Sequence, residues 1–408
     1  MAPYERESTA VKQPGNHTNS AGKLFCNTAA FACAFAMWVM LGPSARLIAA
    51  ELGIAESAAT ALKATPILLG ALLRVPVGIL ADRLGARVVF PAVILLASLG
   101  ALGLSFAQTM FQLTAAALLM GLIGTTFAVG VQSVSSWSSP DKQGFALGVF
   151  GAGNVGTAIT TLCMPWLLRE LGWRSTFRLY TAALVVVALV YFAVMRNAPR
   201  RGAAPTLSAL LQPLTEIRAW RFGLYYVASF GTFVATTLLI TDVYVESFGM
   251  SLPSAGLAAT SFTFAASLAR IPGGRLSDQY GAHRVLEASL MVIACSLLAT
   301  SMQLPMLPTA TLFLMAAIAM GFGMAATYRY IPDAYPTRVG AVGGIVGALG
   351  GLGGFVLPFL CQPVKADLGF SQAQALPIAG AAALAFIVLR VTESPARSAE
   401  QVAVSRIR

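Results

Sequence analysis

The sequence predicts an all-α membrane protein in which twelve transmembrane helices form two pseudo-symmetric halves of six helices each. Composition is the first observation behind this fold class. The chain is 57% hydrophobic and only 11% charged, whereas soluble domains carry about 25% charged residues. Apolar runs of the ~20 residues needed to cross a bilayer recur along its whole length. The second observation is an internal repeat, which divides these runs into two matching sets.

The apolar runs are separated by short polar stretches, glycine and proline. Each run is long enough to cross the hydrocarbon core of a bilayer as a helix, whereas a β-barrel would show short segments of alternating hydrophobicity. We place the twelve spans at 24–47, 58–81, 88–107, 109–136, 143–168, 176–196, 220–246, 255–276, 283–302, 307–331, 338–363 and 371–391.

The longest polar interruption lies between spans six and seven and is rich in Pro, Ala and Arg. We interpret residues 197–219 as a cytoplasmic linker that joins an N-terminal half, 23–196, to a C-terminal half, 220–394. Residues 1–22 are expected to be a disordered cytoplasmic tail, because they lack the apolar core and cleavage site of a signal peptide. Residues 395–408 are expected to be a second cytoplasmic tail.

The positively charged residues predict the orientation of the chain. With both termini in the cytoplasm, the inner loops and tails collect most of the Lys and Arg, as cytoplasmic loops do. The expected location is therefore the cytoplasmic (inner) membrane, crossed many times. The net charge of +11 then reflects orientation, and we expect no nucleic-acid partner. The outer side collects only Arg46, Lys63, Arg169, Arg174, Arg178 and Lys365.

The two halves repeat with an offset of 196 residues. LLRVPVGILADRLGAR at 72–87 matches LARIPGGRLSDQYGAHR at 268–284, and the register still holds where Gly144 falls on Gly340. A register shared over such a length indicates tandem six-span repeats. Parallel repeats of this kind are a transporter architecture, in which the substrate lies between the halves near the midplane of the bilayer.

The repeat places one arginine in the middle of each of two spans. Arg74 lies eight residues before Asp82, which marks the cytoplasmic edge. It is therefore roughly 12 Å deep, close to half of a ~30 Å hydrocarbon core. Arg270 has the same position relative to Asp278. An ionisable residue inside lipid is costly and is a functional-site hypothesis by default, and arginine stays charged there.

No carboxylate is predicted near these two arginines, since all 16 acidic residues fall at span ends, in loops or in tails. One interpretation is that each arginine donates hydrogen bonds to backbone carbonyls and holds helices together. The other is that a small anion is the missing partner, because a guanidinium group binds two oxygens of a flat oxyanion at once. The recurrence at matched positions favours the anion.

The sequence GILADRLGAR at 78–87 resembles the loop between spans two and three of the major facilitator superfamily, and GRLSDQYGAHR at 274–284 is its partner in the second half. The resemblance implies that both loops are cytoplasmic gates, in which an ion pair to the opposite half locks one conformation. The alternative is that their charges only set the topology, with Arg83 and Arg87 facing anionic headgroups. The candidate gate residues are Asp82, Arg83, Arg87, Asp278 and Arg284.

Spans five and eleven are rich in glycine. Small residues at these spacings let helix backbones approach closely. Glycine also lowers helix stability, by up to about 1 kcal/mol each in water, which would allow these spans to flex during a transport cycle. Packing alone is the alternative. The candidate gating glycines are Gly151, Gly153, Gly156, Gly347, Gly350, Gly351, Gly353 and Gly354.

GAGNVG in span five and VGAVGGIVGALGGLGGFVLP in span eleven resemble the two signature motifs of the nitrate/nitrite porter family, a branch of the major facilitator superfamily. AFAMWVMLGPS in span one and YVASFGTFV in span seven are also similar to that family, so the likeness covers nearly the whole chain. It implies the major facilitator fold.

The resemblance also implies a site in which two arginines clamp the anion from the two halves and an asparagine hydrogen-bonds it. The rings of Phe127 and Tyr328 would sandwich the anion, and Tyr226 would add a hydroxyl donor. A tyrosine, Tyr328, stands where the family leads us to expect phenylalanine. The implied substrate-binding residues are Arg74, Arg270, Asn154, Tyr226, Phe127 and Tyr328.

Together these patterns predict a carrier that moves nitrate and nitrite by alternating access, either by nitrate/nitrite exchange or by proton-coupled nitrate uptake. One alternative is a carrier of the same fold for another small monovalent anion, such as cyanate or a short carboxylate. A membrane sensor is another, although no signalling domain is evident. We find no nucleophile–base arrangement, phosphate loop or metal-ligand spacing, so we expect no enzyme, cofactor or metal. We expect a monomer in the lipid bilayer.

Overall fold

The structure is a computed structural model of the chain, and it describes residues 20–198, 206–368 and 370–392. Within these ranges the chain forms helices and turns and no strand. The predicted second tail and residues 1–19 of the first lie outside the described residues. Residues 20–22 of the predicted first tail are instead the start of the first helix.

The helices of the first half are interrupted in spans one, two, four and five. These interruptions matter because Arg74 begins a helix, and Gly124 and Asn154 lie in 3-10 turns. Span one is Ser20–Trp38 with Leu41–Leu52, span two is Glu56–Leu72 with Arg74–Leu84, and span three is Ala86–Phe106. Span four consists of Met110–Gly121, the 3-10 turn Leu122–Thr125 and Thr126–Trp137. Span five begins with Gln143–Gly151 and the 3-10 turn Ala152–Asn154, and its remainder forms one helical stretch with span six, Val155–Val194.

Most helices of the second half are continuous. Span seven is the exception, because a π-helical turn follows Tyr226. Span seven is Ile217–Tyr226, Val227–Gly231 and Thr232–Phe248, span eight is Leu252–Tyr280, span nine is Ala282–Thr300, span ten is Met306–Ala334, span eleven is Val339–Leu368 and span twelve is Phe370–Thr392.

Ten helical stretches of the described residues are long and apolar enough to cross a membrane. The other two predicted spans are spans two and eight, which carry the arginines. Span two is broken at Leu73, and both spans contain several charged residues, so length and hydropathy alone do not identify them. With these two added, the predicted twelve-helix arrangement is confirmed.

Glycine makes the tight turns that follow the two arginine spans. Gly85 and Gly281 have φ of 83° and 87°, a left-handed conformation that side chains other than glycine rarely adopt. They are 196 residues apart, so the two halves reverse direction at equivalent points. A third such glycine, Gly172 with φ 71°, separates spans five and six within one long helical stretch.

The two halves meet along two seams related by the internal repeat. The 2–11 seam joins spans two and eleven, and the 5–8 seam joins spans five and eight. A Cβ atom at Gly344 would overlap the Arg74 carbonyl, and one at Gly148 would overlap the Arg270 carbonyl. Glycine is therefore required at both positions for the backbones to come this close.

The short helix Leu207–Leu211 of the linker covers one end of the 2–11 seam. Leu210 is 1% exposed and packs with Ile79 of the first half and Ala341 of the second. Arg338, at the start of span eleven, donates a hydrogen bond to the Ala209 carbonyl. The linker is thus attached to both halves where they meet.

Two arginines on the predicted outer side are neutralised locally. Arg174 forms an ion pair with Glu51, and Arg169 lies 2.8 Å from Glu170. Both arginines thus have a carboxylate partner close by.

Candidate functional site

Arg74 and Arg270 converge between the halves. Each is only 1% exposed, and their guanidinium carbons lie 5.9 and 5.3 Å from the ring centroid of Phe127. Neither side chain points to the lipid face. Neither forms an ion pair with any carboxylate in the part of the chain that the structure describes. Two buried positive charges therefore face one shared ring.

Arg74 donates hydrogen bonds to two backbone carbonyls. Its Nε lies 3.0 Å from the oxygen of Gly124 in its own half. Its Nη1 donates to the oxygen of Gly347 in span eleven, across the 2–11 seam. Its Nη2 has no acceptor among the described residues. Arg74 thus links helices through Nε and Nη1, as the first interpretation expects, whereas its Nη2 makes no such link.

Arg270 differs, because its Nε and Nη1 are buried without an acceptor in the described parts of the chain. Asn154 is similar. It is 2% exposed, and its side-chain nitrogen and oxygen both lack a described partner. Buried polar groups are nearly always hydrogen-bonded, and each exception needs an explanation. Unused donors of this kind are what an anion requires.

Three predicted aromatic residues enclose the arginines. The ring of Tyr328 meets Phe127 edge-on at a centroid distance of 4.9 Å and Tyr226 edge-on at 4.8 Å. The hydroxyl of Tyr328 donates to the Gly343 carbonyl at 2.9 Å. Tyr328 therefore contributes its ring to the site, as the expected phenylalanine would.

Two further aromatic residues were missed by sequence reasoning. Trp38 and Phe230 lie 5.7 and 5.8 Å from the Arg74 guanidinium carbon, and Phe230 also stacks on Tyr226 at 5.0 Å. Rings at this distance stabilise a cation that has lost its water. Both residues belong to segments that resemble the porter family. Nothing in the pattern of those segments distinguishes them from ordinary apolar positions.

The predicted gating glycines fall into two groups. Three lie at the seams, where a Cβ atom would crowd Arg270, Arg74 or Ala71. The others pack against span one or span seven of their own half. The seam group is Gly151, Gly347 and Gly351, and the second group is Gly153, Gly156, Gly350, Gly353 and Gly354. Six more glycines lie at the seams. The 196-residue offset pairs them, but the predicted gating list does not include them: Gly78, Gly144, Gly148, Gly274, Gly340 and Gly344.

The gate loops reach the opposite half through backbone N–H groups. Asp82 accepts hydrogen bonds from Gly340 and Ala341 at 3.0 and 2.8 Å, and Asp278 accepts from Gly144 and Phe145 at 2.8 and 2.7 Å. Each carboxylate thus sits at the beginning of a helix in the other half, where the helix dipole favours negative charge. We call these four bonds the cytoplasmic lock. They occupy the place where the sequence predicted an ion pair.

The two carboxylates of the lock differ in their cation partners. Arg329 lies 2.8 Å from Asp278 and also donates to the Pro140 carbonyl of the first half at 3.1 Å. No Lys or Arg of the described chain pairs with Asp82, which lies near the end of the helix Arg74–Leu84.

Of the remaining gate residues, Arg87 has its hydrogen bonds on its own side of the seams. The side chain of Arg87 donates to the Phe192 carbonyl at 3.3 Å, within the first half, and its backbone N–H donates to Asn197. The predicted roles of Arg83 and Arg284 stay predictions.

A cavity of about 460 Å³ opens between the halves on the predicted cytoplasmic side. Asp82, Gln143, Arg196 and Asp333 are among its lining residues, and neither Arg74 nor Arg270 is. The cytoplasmic lock and the two seams therefore lie between this cavity and the arginines.

Comparison with known proteins places this geometry in context. The sequence model of the Major Facilitator Superfamily matches residues 28–224 and again residues 221–405. A protein from Thermus thermophilus named "Probable nitrate/nitrite antiporter NarK1" is 37% identical over 90% of both chains. A "Nitrite extrusion protein" from Bacillus subtilis is 29% identical over 82% of this chain and 85% of its own.

The fold also resembles solved structures. The crystal structure of the E. coli fucose:proton symporter FucP covers 92% of this chain and 98% of its own, with a TM-score of 0.74 and 16% sequence identity. At that identity the likeness concerns the fold alone.

Proposed function

The chain belongs to the Major Facilitator Superfamily, and from this premise we propose that it carries nitrate and nitrite across the membrane by alternating access. The observation that supports this most is the pair of buried guanidinium groups with unused N–H donors and no carboxylate within the described chain. Small planar oxyanions match these donors in charge and shape. The names of the two relatives point to the same anions.

We propose that Arg74, Arg270 and Asn154 hold the anion, and that Phe127, Tyr226 and Tyr328 enclose it. A buried cation without a partner costs several kcal/mol. The anion offsets part of this cost, so the loaded carrier reorients more readily than the empty one. This difference favours exchange of one anion for another over net movement.

The test of this function is counterflow into proteoliposomes. Vesicles loaded with unlabelled nitrite or nitrate should accumulate labelled nitrate from outside, and the uptake should be independent of an imposed pH gradient if the carrier exchanges anions. Uptake driven by an acidic exterior, without internal anion, would indicate proton coupling instead. A panel containing cyanate, formate and chloride identifies the preferred anion by competition.

Replacing Arg270 by lysine should reduce nitrate flux by at least about tenfold, because lysine loses the forked geometry that binds two oxygens. Arg169→Lys is the matched control, since Arg169 is 76% exposed and its ion-pair partner among the described residues is its neighbour Glu170. Wild-type flux in the Arg270→Lys variant would contradict the proposed site.

A further inference from the structure

The repeat makes the backbones of Arg74 and Arg270 equivalent, yet their side chains are bonded differently. Each arginine carbonyl abuts the corresponding glycine of the opposite half, Gly344 or Gly148. Despite this symmetry, Arg74 uses two of its nitrogens on carbonyls, whereas Nε and Nη1 of Arg270 have no described acceptor. The difference must come from the residues around each guanidinium group.

The first cause lies in span four. Gly124, which accepts from Arg74, belongs to the 3-10 turn Leu122–Thr125. Hydrogen bonds in such a turn have poorer geometry than those of an α-helix, so its carbonyls are better able to accept from a side chain. The equivalent position in the second half, Met320, lies inside the continuous helix Met306–Ala334. Only the first half therefore offers this carbonyl.

The second cause lies in span five. Asn154 ends the 3-10 turn that follows Gly151, and Gly151 abuts the Nε of Arg270. Residues three apart share one face of a 3-10 turn, so the amide of Asn154 is on the Arg270 side. The equivalent position near Arg74 is Gly350, which has no side chain and packs against the ring of Tyr226. An amide side chain thus lies on the Arg270 side only, whereas the hydroxyl of Tyr226 interacts with both arginines.

We infer that the two arginines have different tasks: Arg270 and Asn154 form the primary anion-binding pair, whereas Arg74 is a staple between the halves that adds one N–H to the anion. This division rests on the proposed function. The unused donors are Nε and Nη1 of Arg270, the amide nitrogen of Asn154 and Nη2 of Arg74. Most of them flank the 5–8 seam. The Arg74 bond to Gly347 instead holds the 2–11 seam closed.

The division predicts different effects on affinity. In purified protein, nitrate and nitrite binding is measured by calorimetry and by ligand-dependent thermal stabilisation. Arg270→Lys and Asn154→Ala should each weaken binding about 10- to 100-fold, the loss expected for one charge-assisted hydrogen bond. Arg74→Lys should weaken it less than tenfold. The Asn154→Ala variant keeps both charges, so it decides the question even where Arg270→Lys fails to fold.

The division also predicts different effects on conformation. Spin labels at Leu84 and Thr337, which are exposed at the ends of spans two and eleven, report the opening of the 2–11 seam by pulsed electron resonance. The five native cysteines are first replaced. Without anion, Arg74→Lys should broaden the distribution of label-to-label distances and lengthen its mean. Arg270→Lys and the control Arg169→Lys should give the same distribution as the labelled protein that keeps all its arginines.

The outcomes separate this inference from the proposed function. Equal losses of affinity in both lysine variants, or an unchanged seam in Arg74→Lys, would overturn the division of tasks. Failure of the wild-type protein to bind or exchange nitrate and nitrite would instead overturn the proposed function, whatever the seam distances show.

Discussion

Arg74 and Arg270 show how one residue type meets two different environments within a single fold. Moving a charge out of water costs several kcal/mol. For Arg74, two carbonyls and the rings of Trp38, Phe127 and Phe230 offset that cost, at roughly 1.5–3 kcal/mol for each charged hydrogen bond and about 0.5–2 kcal/mol for each ring. Arg270 has the Phe127 ring and the Tyr226 hydroxyl, but its Nε and Nη1 lack a described acceptor, which makes it the stronger candidate to require an anion.

Tyr328→Phe tests whether this residue acts through its ring. Since the hydroxyl donates to Gly343, the substitution should leave nitrate flux within about twofold of wild type and reduce stability by about 1 kcal/mol. Proteoliposome flux and thermal unfolding measure the two effects. A large loss of nitrate affinity with an unchanged melting temperature would show that the hydroxyl contacts the anion after all.

At the scale of elements, the glycine content of spans five and eleven has two origins. One face of each span lies against the arginine helix of the opposite half, and another packs against a helix of its own half. At some of these contacts a Cβ atom would overlap a backbone carbonyl, as at Gly148 and Gly344, and at others it would overlap a side chain, as at Gly350 and Gly354. The repeat of small residues therefore reflects two interfaces on one helix, of which only the seam must open during transport.

Adding a methyl group at a seam should impair transport. In Gly148→Ala the new Cβ would overlap the Arg270 carbonyl, so the halves must separate, and we expect flux to fall at least tenfold. Gly256→Ala is the matched control, because a Cβ there meets nothing within 4 Å. A helical alanine at that position should be neutral or stabilising by up to about 1 kcal/mol. Equal flux in the two variants would contradict the role assigned to the seam.

At the scale of the whole molecule, the cytoplasmic lock closes the predicted cytoplasmic side. Each of its two carboxylates accepts two backbone N–H bonds from the opposite half, but the two differ in their cation partners. Asp278 has Arg329 as a partner, whereas Asp82 has two N–H groups and no cation partner among the described residues. Asp82 also lines the adjoining cavity. The hold of the lock at the 2–11 seam should therefore depend on these two N–H bonds.

The lock can be tested at Asp82. Asp82→Asn should loosen the 2–11 seam, because a neutral amide offers a single acceptor oxygen to the N–H groups of Gly340 and Ala341 and loses the favourable interaction with the helix dipole. The labels at Leu84 and Thr337 measure the locked fraction.

Asp278→Asn is the matched comparison, because Asp278 bonds to Gly144 and Phe145 at the 5–8 seam. It should leave the distance across the 2–11 seam close to that of wild type. An unchanged 2–11 distance in Asp82→Asn would contradict the role of Asp82 in the lock.

Much of the site could be predicted because it follows from distance along a helix. The offset of eight positions from Arg74 to Asp82 set the depth of the charge, and the 196-residue offset repeated it in the second half. The placement of Phe127 and Tyr328 came from resemblance to a family. Trp38, Phe230 and Arg329 escaped prediction, since an aromatic residue in an apolar span and an arginine at a span end have no distinctive pattern.

The sequence by itself determined the number of spans, their division into two halves and the presence of two charges at membrane depth, because composition and spacing act locally. Only the tertiary structure decided how those charges are used. Arg74 bonds to carbonyls 50 and 273 positions away, and Asp82 to N–H groups 258 and 259 positions away. These partners depend on how the helices pack and on where a helix is interrupted. The periodicity of a single span predicts neither the packing nor the interruption.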